Sequence, residues 1–126
     1  MKIGTISKNP ISFTYSSILK KLYKEGKLPS VVFDIYGIKL NPETVSLEHN
    51  IPKSLGGKSK LFNYSLADKF KNEARGNDDL LNHTTIENIT NWFKQFKDIK
   101  LKGFDGESYI KSATENLKQI GINIEV

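Results

Sequence analysis

Apolar and polar positions change their period several times along the chain, and each change marks an element. Between Ser12 and Glu25, Tyr15, Ile18, Leu19 and Leu22 recur at helical spacing while Lys20, Lys21 and Lys24 take the other side, which predicts an amphipathic helix. Gly26 stands where a left-handed cap ends such a helix, and Pro29 blocks its restart. Val31–Leu40 (VVFDIYGIKL) is β-branched and aromatic with Gly37 inside it, the pattern of a hairpin or a bent strand. After the Asn41-Pro42 turn signal, Thr44–Leu47 alternates with Val45 and Leu47 on one face, which predicts a short strand. Glu48 and His49 come at its end, where side chains converge on ligands.

Apolar residues thin out over Asn50–Phe62, and Pro52 and Gly56-Gly57 shape a loop there. Tyr64–Leu66 reads as a return strand and Ala67–Arg75 as a short helix, with Ala67, Phe70 and Ala74 inward, Asp68 near its start and Gly76 at its stop. Two more helices follow. Thr84-Thr85-Ile86-Glu87 has the form of a capping box, and Ile86, Ile89, Phe93 and Phe96 make a stripe down to Lys97. Asp105-Gly106 opens the last helix, with Tyr109, Ala113, Leu117 and Ile120 on one face and Gly121 as the stop. Ile122, Ile124 and Val126 alternate, which suggests a terminal strand. No linker and no repeat divides residues 1–126, so the expectation is one α+β domain: a central unit over 44–77, one helix before it (12–25) and two after it (84–120).

Composition narrows the classes. The length is enough for one modest domain with a core, and no apolar run approaches the ~20 residues that span a bilayer. The N-terminal stretch lacks the apolar centre of a signal peptide, so a cytoplasmic place is expected, with no membrane partner. With no cysteine, disulfides, thiol nucleophiles and thiolate zinc sites are excluded together. The net charge of +5 favours a polyanionic partner, nucleic acid first. All but one of the 19 basic residues are lysine, a bias that A+T-rich coding also produces, so charge alone is a weak argument.

The candidate chemistry lies between Val45 and Asn77. A strand–loop–strand–helix unit brings the end of its first strand beside its helix. Glu48 and the Asn72 amide are hard oxygen donors suited to Mg²⁺, and a neutral imidazole beside such an ion can take a proton from water. Together these groups suffice for hydrolysis of a phosphodiester. Lys53, Lys58, Lys60, Lys69 and Lys71 surround them, either tracking a phosphate backbone or simply solvated. Trp92, Phe93 and Phe96, at helical spacing, read as core rather than base-stacking residues. His83 receives no role.

This stretch resembles the HNH endonucleases of the ββα-metal fold. The matching residues are Glu48-His49, Ile51-Pro52-x-Ser54-x-Gly56-Gly57, Asn63, Leu66-Ala67, Asn72 and Arg75-Gly76-Asn77. Asn63 comes fourteen positions after His49 and Asn72 nine positions after Asn63, both typical of that family, and Asn72 makes this an H-N-N variant. The resemblance covers residues 45–77. It implies that His49 is the general base, that Glu48 and Asn72 ligate Mg²⁺ or Mn²⁺, and that Asn63 holds the histidine loop through backbone hydrogen bonds. It implies that Arg75 meets a phosphate, with Lys53, Lys58 and Lys71 as further DNA contacts. Many relatives carry a zinc-binding Cys-x-x-Cys-Gly knuckle before the histidine strand. Phe33-Asp34-Ile35-Tyr36-Gly37 stands there, so no structural zinc is expected and aromatic packing is expected to replace it. Asp68, one helical turn before Asn72, reads as a cap rather than a third ligand.

The resulting expectation is a nuclease that cuts or nicks DNA. Its further partners are left open between a second copy of the chain and proteins of a phage or mobile element. The alternative is a nucleic-acid-binding or phage structural protein that keeps the fold without turnover.

Overall fold

A computed structural model describes residues 16–126, and the expected first turn of the N-terminal helix, before Ser16, lies outside them. The described part of that helix, α1 (Ile18–Lys24), buries Leu19 and Leu22. Two strands follow, β1 (Val45–His49) and β2 (Tyr64–Asp68), paired antiparallel with Val45 opposite Asp68 and His49 opposite Tyr64. Helix α2 (Lys69–Arg75) continues directly from β2. Helix α3 (Ile86–Lys94), a two-residue hairpin β3 (Lys100–Leu101) and β4 (Phe104–Asp105), and helix α4 (Gly106–Leu117) complete the order. The architecture is mixed, with small antiparallel sheets and helices around them, as an α+β fold requires. Among the described residues no helix is long and apolar enough to cross a membrane.

The hydrophobic core explains why these pieces stay together. Trp92, Phe93 and Phe96 of α3 and the turn after it meet Phe104 and Tyr109, with the Trp92 and Phe96 rings 4.8 Å apart and near edge-on. Leu66 and Ala67 from β2 and Leu19 from α1 close the same cluster. Each fully buried large side chain of this kind contributes roughly 1.5–3 kcal/mol. The Trp92 indole N–H donates to the Tyr109 hydroxyl, which in turn donates to the Tyr64 carbonyl, so the polar tips of the core are used as well.

Several elements differ from the pattern expected of them. Ala67 belongs to β2, and α2 starts one residue later than Asp68, whose side chain accepts from the backbone N–H groups of Phe70 and Lys71. That start turns Phe70 (61 % exposed) and Ala74 outward, and the inner face goes instead to Asn72 and Arg75. The helix therefore presents polar groups inward, which an apolar stripe cannot register. In α3 the cap is Thr85, bonded to the Asn88 N–H, which leaves Ile86 exposed at the helix start. The alternating tail Ile122-x-Ile124 is buried but forms no strand pairing among the described residues. The β3–β4 hairpin is too short for an alternation to announce it.

The Phe33–Gly37 knuckle is held by a carboxylate. Asp34 is buried and accepts three backbone N–H groups: Tyr36 at 2.9 Å, Ile38 at 2.8 Å and Asp68 at 2.8 Å. Phe33 is half exposed and Tyr36 is buried in the core, so of the two rings expected to pack in this stretch only Tyr36 goes inside. Gly37, at φ +82°, closes the turn, and a side chain there would strike Asn88.

Candidate active site

Antiparallel pairing sets the end of β1 against the start of β2, and the loop between them, residues 50–63, is folded back on itself by Asn63. That asparagine is fully buried, and both ends of its amide are used. Its oxygen accepts the Ile51 N–H at 2.9 Å and the Asn116 side-chain N–H at 2.8 Å. Its nitrogen donates to the carbonyls of Ile51 at 3.0 Å and Lys58 at 2.9 Å. Gly57 is required beside it, because a Cβ at that position would lie 1.8 Å from the Ile51 carbonyl oxygen. The loop that leaves His49 is thus fixed by one amide and one missing side chain.

His49 reaches a cleft of about 260 Å³ lined by Leu47, His49, Pro52, Lys53, Asn72, Arg75, Gly76 and Asn77. Its ring packs 4.8 Å from the Tyr64 ring, and its Nε2 is 3.2 Å from the Ser59 hydroxyl. Burial is the main force holding its pKa below the ordinary value, and the Lys53 and Arg75 charges add to it. The imidazole is therefore kept neutral and able to accept a proton. Asn72 comes to the same cleft from α2. Its amide nitrogen donates to Ser46 Oγ at 3.1 Å and the Leu47 carbonyl at 3.0 Å, which leaves the amide oxygen for another partner.

Glu48 is placed differently from the expectation. It is 1 % exposed and does not line the cleft; Arg75 does, and Glu48 sits behind it. Oε2 is 3.1 Å from Arg75 Nη1 and also accepts the Tyr36 hydroxyl. Oε1 is buried and has no partner. Burial pushes the Glu48 carboxyl up from its usual range, while Tyr36 and then Arg75 pull it back. Burial likewise raises the Tyr36 hydroxyl, aided by Glu48.

The structure also gives Arg75 a task other than meeting a phosphate. It is 3 % exposed, and its Nε donates to the Asp78 carbonyl at 2.8 Å, Nη1 to that of His49 at 2.9 Å and Nη2 to that of Asn50 at 2.9 Å. All three nitrogens are spent on clamping the histidine strand to the end of α2. The lysines divide as well. Lys53 lines the cleft, Lys58 is exposed on the loop, and the Lys71 ammonium lies 5.5 Å from the Tyr36 ring centre. His83 lies past this region, with its Nε2 2.9 Å from Asp78 Oδ2.

Three contributors escaped the motif. Asp34 could have been read from its place three residues before Gly37, where a short acceptor closes a turn onto its own backbone. Tyr36 and Asn116 carry no local signal, since each acts on a residue far away in sequence.

The residues fit a divalent ion of the Mg²⁺ type only in part: Asn72 lines the cleft, whereas Glu48 is buried behind Arg75. The unpartnered Glu48 oxygen and the Asn72 amide oxygen are hard donors, and Mg²⁺ takes few protein ligands and keeps several waters. No group of three or more His, Cys, Asp or Glu able to hold a metal occurs among the described residues, so a cage built from such side chains is not available there. Comparison with protein-family models, with curated proteins and with solved structures finds no match.

Proposed function

We propose that the chain is a divalent-metal-dependent endonuclease of the HNH type that hydrolyses or nicks DNA in the cytoplasm. The observation that carries the reading is one cleft in which the neutral His49 and Asn72 meet above the buried Glu48–Arg75 pair. The order of elements, two antiparallel strands, a pinned loop and a helix, supports a ββα-metal unit over 44–77. His49 takes the proton of the attacking water, and Ser59 and Tyr64 hold its ring. Glu48 and Asn72 would hold the ion, Mg²⁺ or Mn²⁺, once Glu48 is released from Arg75 toward the cleft, and the ion would supply charge stabilisation at the phosphate and the leaving oxygen. Asn63 and Arg75 keep strand, loop and helix in register, and Lys53 offers the cleft a cation for the DNA backbone.

A fold retained for nucleic-acid binding without turnover is the competing reading, and the closure of Glu48 by Tyr36 and Arg75 speaks for it. Supercoiled plasmid incubated with the protein and Mg²⁺ or Mn²⁺ separates the two. We expect nicking by the wild type, and His49→Ala to abolish nicking while leaving DNA binding largely in place. Binding without any nicking by the wild type decides for the competitor.

A further inference from the structure

We propose that Asn77 is a substrate-binding residue: its side-chain amide, together with Lys53, takes the phosphate contact in the cleft that Arg75 does not make. This deepens the nuclease reading and rests on DNA as the partner. Arg75 lines the cleft, but its guanidinium is bound to Glu48 and to the carbonyls of His49, Asn50 and Asp78. The Asn72 amide nitrogen donates to Ser46 and Leu47, and His49 Nε2 lies beside Ser59. Leu47, Pro52 and Gly76 bring no polar side chain to this lining. The side chains left to meet an anion there are Lys53 and Asn77, and neither makes a hydrogen bond or ion pair among the described residues.

The two arrive from different segments. Lys53 follows Pro52 in the loop after β1, and Asn77 follows Gly76 at the end of α2. Gly76 turns the chain at φ +57° and ψ −125°, while its N–H closes onto the Asn72 carbonyl at 3.2 Å. A residue with a side chain rarely adopts that conformation. Nothing lies within 4 Å of where a Cβ would stand, so glycine serves the backbone there and not a close contact. A phosphodiester offers acceptor oxygens and one negative charge. Lysine brings a mobile charge to it, and the amide brings a neutral N–H donor from a fixed turn.

The test is fluorescence anisotropy of a labelled DNA duplex with the purified full chain in EDTA, so that binding is read without cleavage. Asn77 is exposed, and its variants should melt as the wild type does. Asn77→Ala is expected to weaken binding about tenfold. The factor should be the same on an A·T duplex and a G·C duplex, because a phosphate contact carries no sequence information. The amide is neutral, so the salt dependence should stay as it is, whereas Lys53→Ala should flatten the slope of log K against log salt by about 0.9. Gly76→Ala keeps the amide but displaces it, and should bind as weakly as Asn77→Ala. Asn77→Asp sets a carboxylate against the phosphate and should bind more weakly still. Asn91→Asp adds the same charge in a separate hollow beside Phe33 and Trp92, and should lose far less. A loss confined to one of the two duplexes assigns Asn77 to a base edge and overturns the phosphate contact. If the wild type binds and nicks with Mg²⁺ while Asn77→Ala binds equally well and Asn77→Asp matches Asn91→Asp, the role of Asn77 is wrong and the nuclease reading stands. If the wild type binds neither duplex, both fall.

Discussion

At His49 the ring lies between Tyr64 and Ser59, partly withdrawn from water and close to two cations. Burial and the Lys53 and Arg75 charges all oppose its protonation. The folded midpoint therefore lies below the unfolded value of about 6.5, and the unfolded chain binds more protons in the window beneath it. The stability that His49 contributes is present above that value and is lost as the pH falls through the folded midpoint. An NMR titration of its ring resonances should place the midpoint under 6.5, and Lys53→Ala should move it upward. A midpoint at or above the ordinary value would contradict this environment and, with it, the ready supply of a neutral base. The family resemblance implied a loop-holding amide at Asn63, and Asn63 makes three hydrogen bonds to the loop backbone at Ile51 and Lys58 and accepts a fourth from the Asn116 side chain.

The elements were unevenly legible for a physical reason. Strands and helices that bury an apolar face announced themselves: β1 and β2, α3 around Ile89 and Phe93, and α4 around Tyr109 and Leu117. Helix α2 buries Arg75 and turns Asn72 inward, so its apolar residues pointed to the wrong face. The knuckle was legible as a bend, but its fastening was not, because a carboxylate that takes three backbone donors looks like any surface aspartate in a one-dimensional pattern. Asp34→Ala leaves the N–H groups of Tyr36, Ile38 and Asp68 without that partner. Urea unfolding should show a loss of about 3 kcal/mol. A chelator should leave the wild-type midpoint of that curve unchanged; a large drop would show that a metal, and not Asp34, holds the bend.

At the scale of the whole molecule, Glu48–Arg75 is the ion pair buried on both sides among the described residues. Both members are buried, and Arg75 also bridges three carbonyls from two separate segments. Arg75→Ala would leave the buried Glu48 carboxylate without its cation, with the Tyr36 hydroxyl still on it, and breaking such a pair typically costs about 3–5 kcal/mol. We expect a loss of that size in chemical denaturation. A loss under about 1 kcal/mol would mean that solvent reaches Glu48 when the arginine is gone. Arg75→Lys should not rescue the stability, since an ammonium cannot reach His49, Asn50 and Asp78 at once.

The hydrogen bond from Asn116 to Asn63 joins residues 53 positions apart. On the ribosome, Glu48, His49, Asn63 and Asn72 emerge well before Asn116 does. The amide that braces the histidine loop thus waits for its last donor until α4 has been synthesised and has docked. A nascent chain carries the reactive groups early, but the bracing that sets them is completed late.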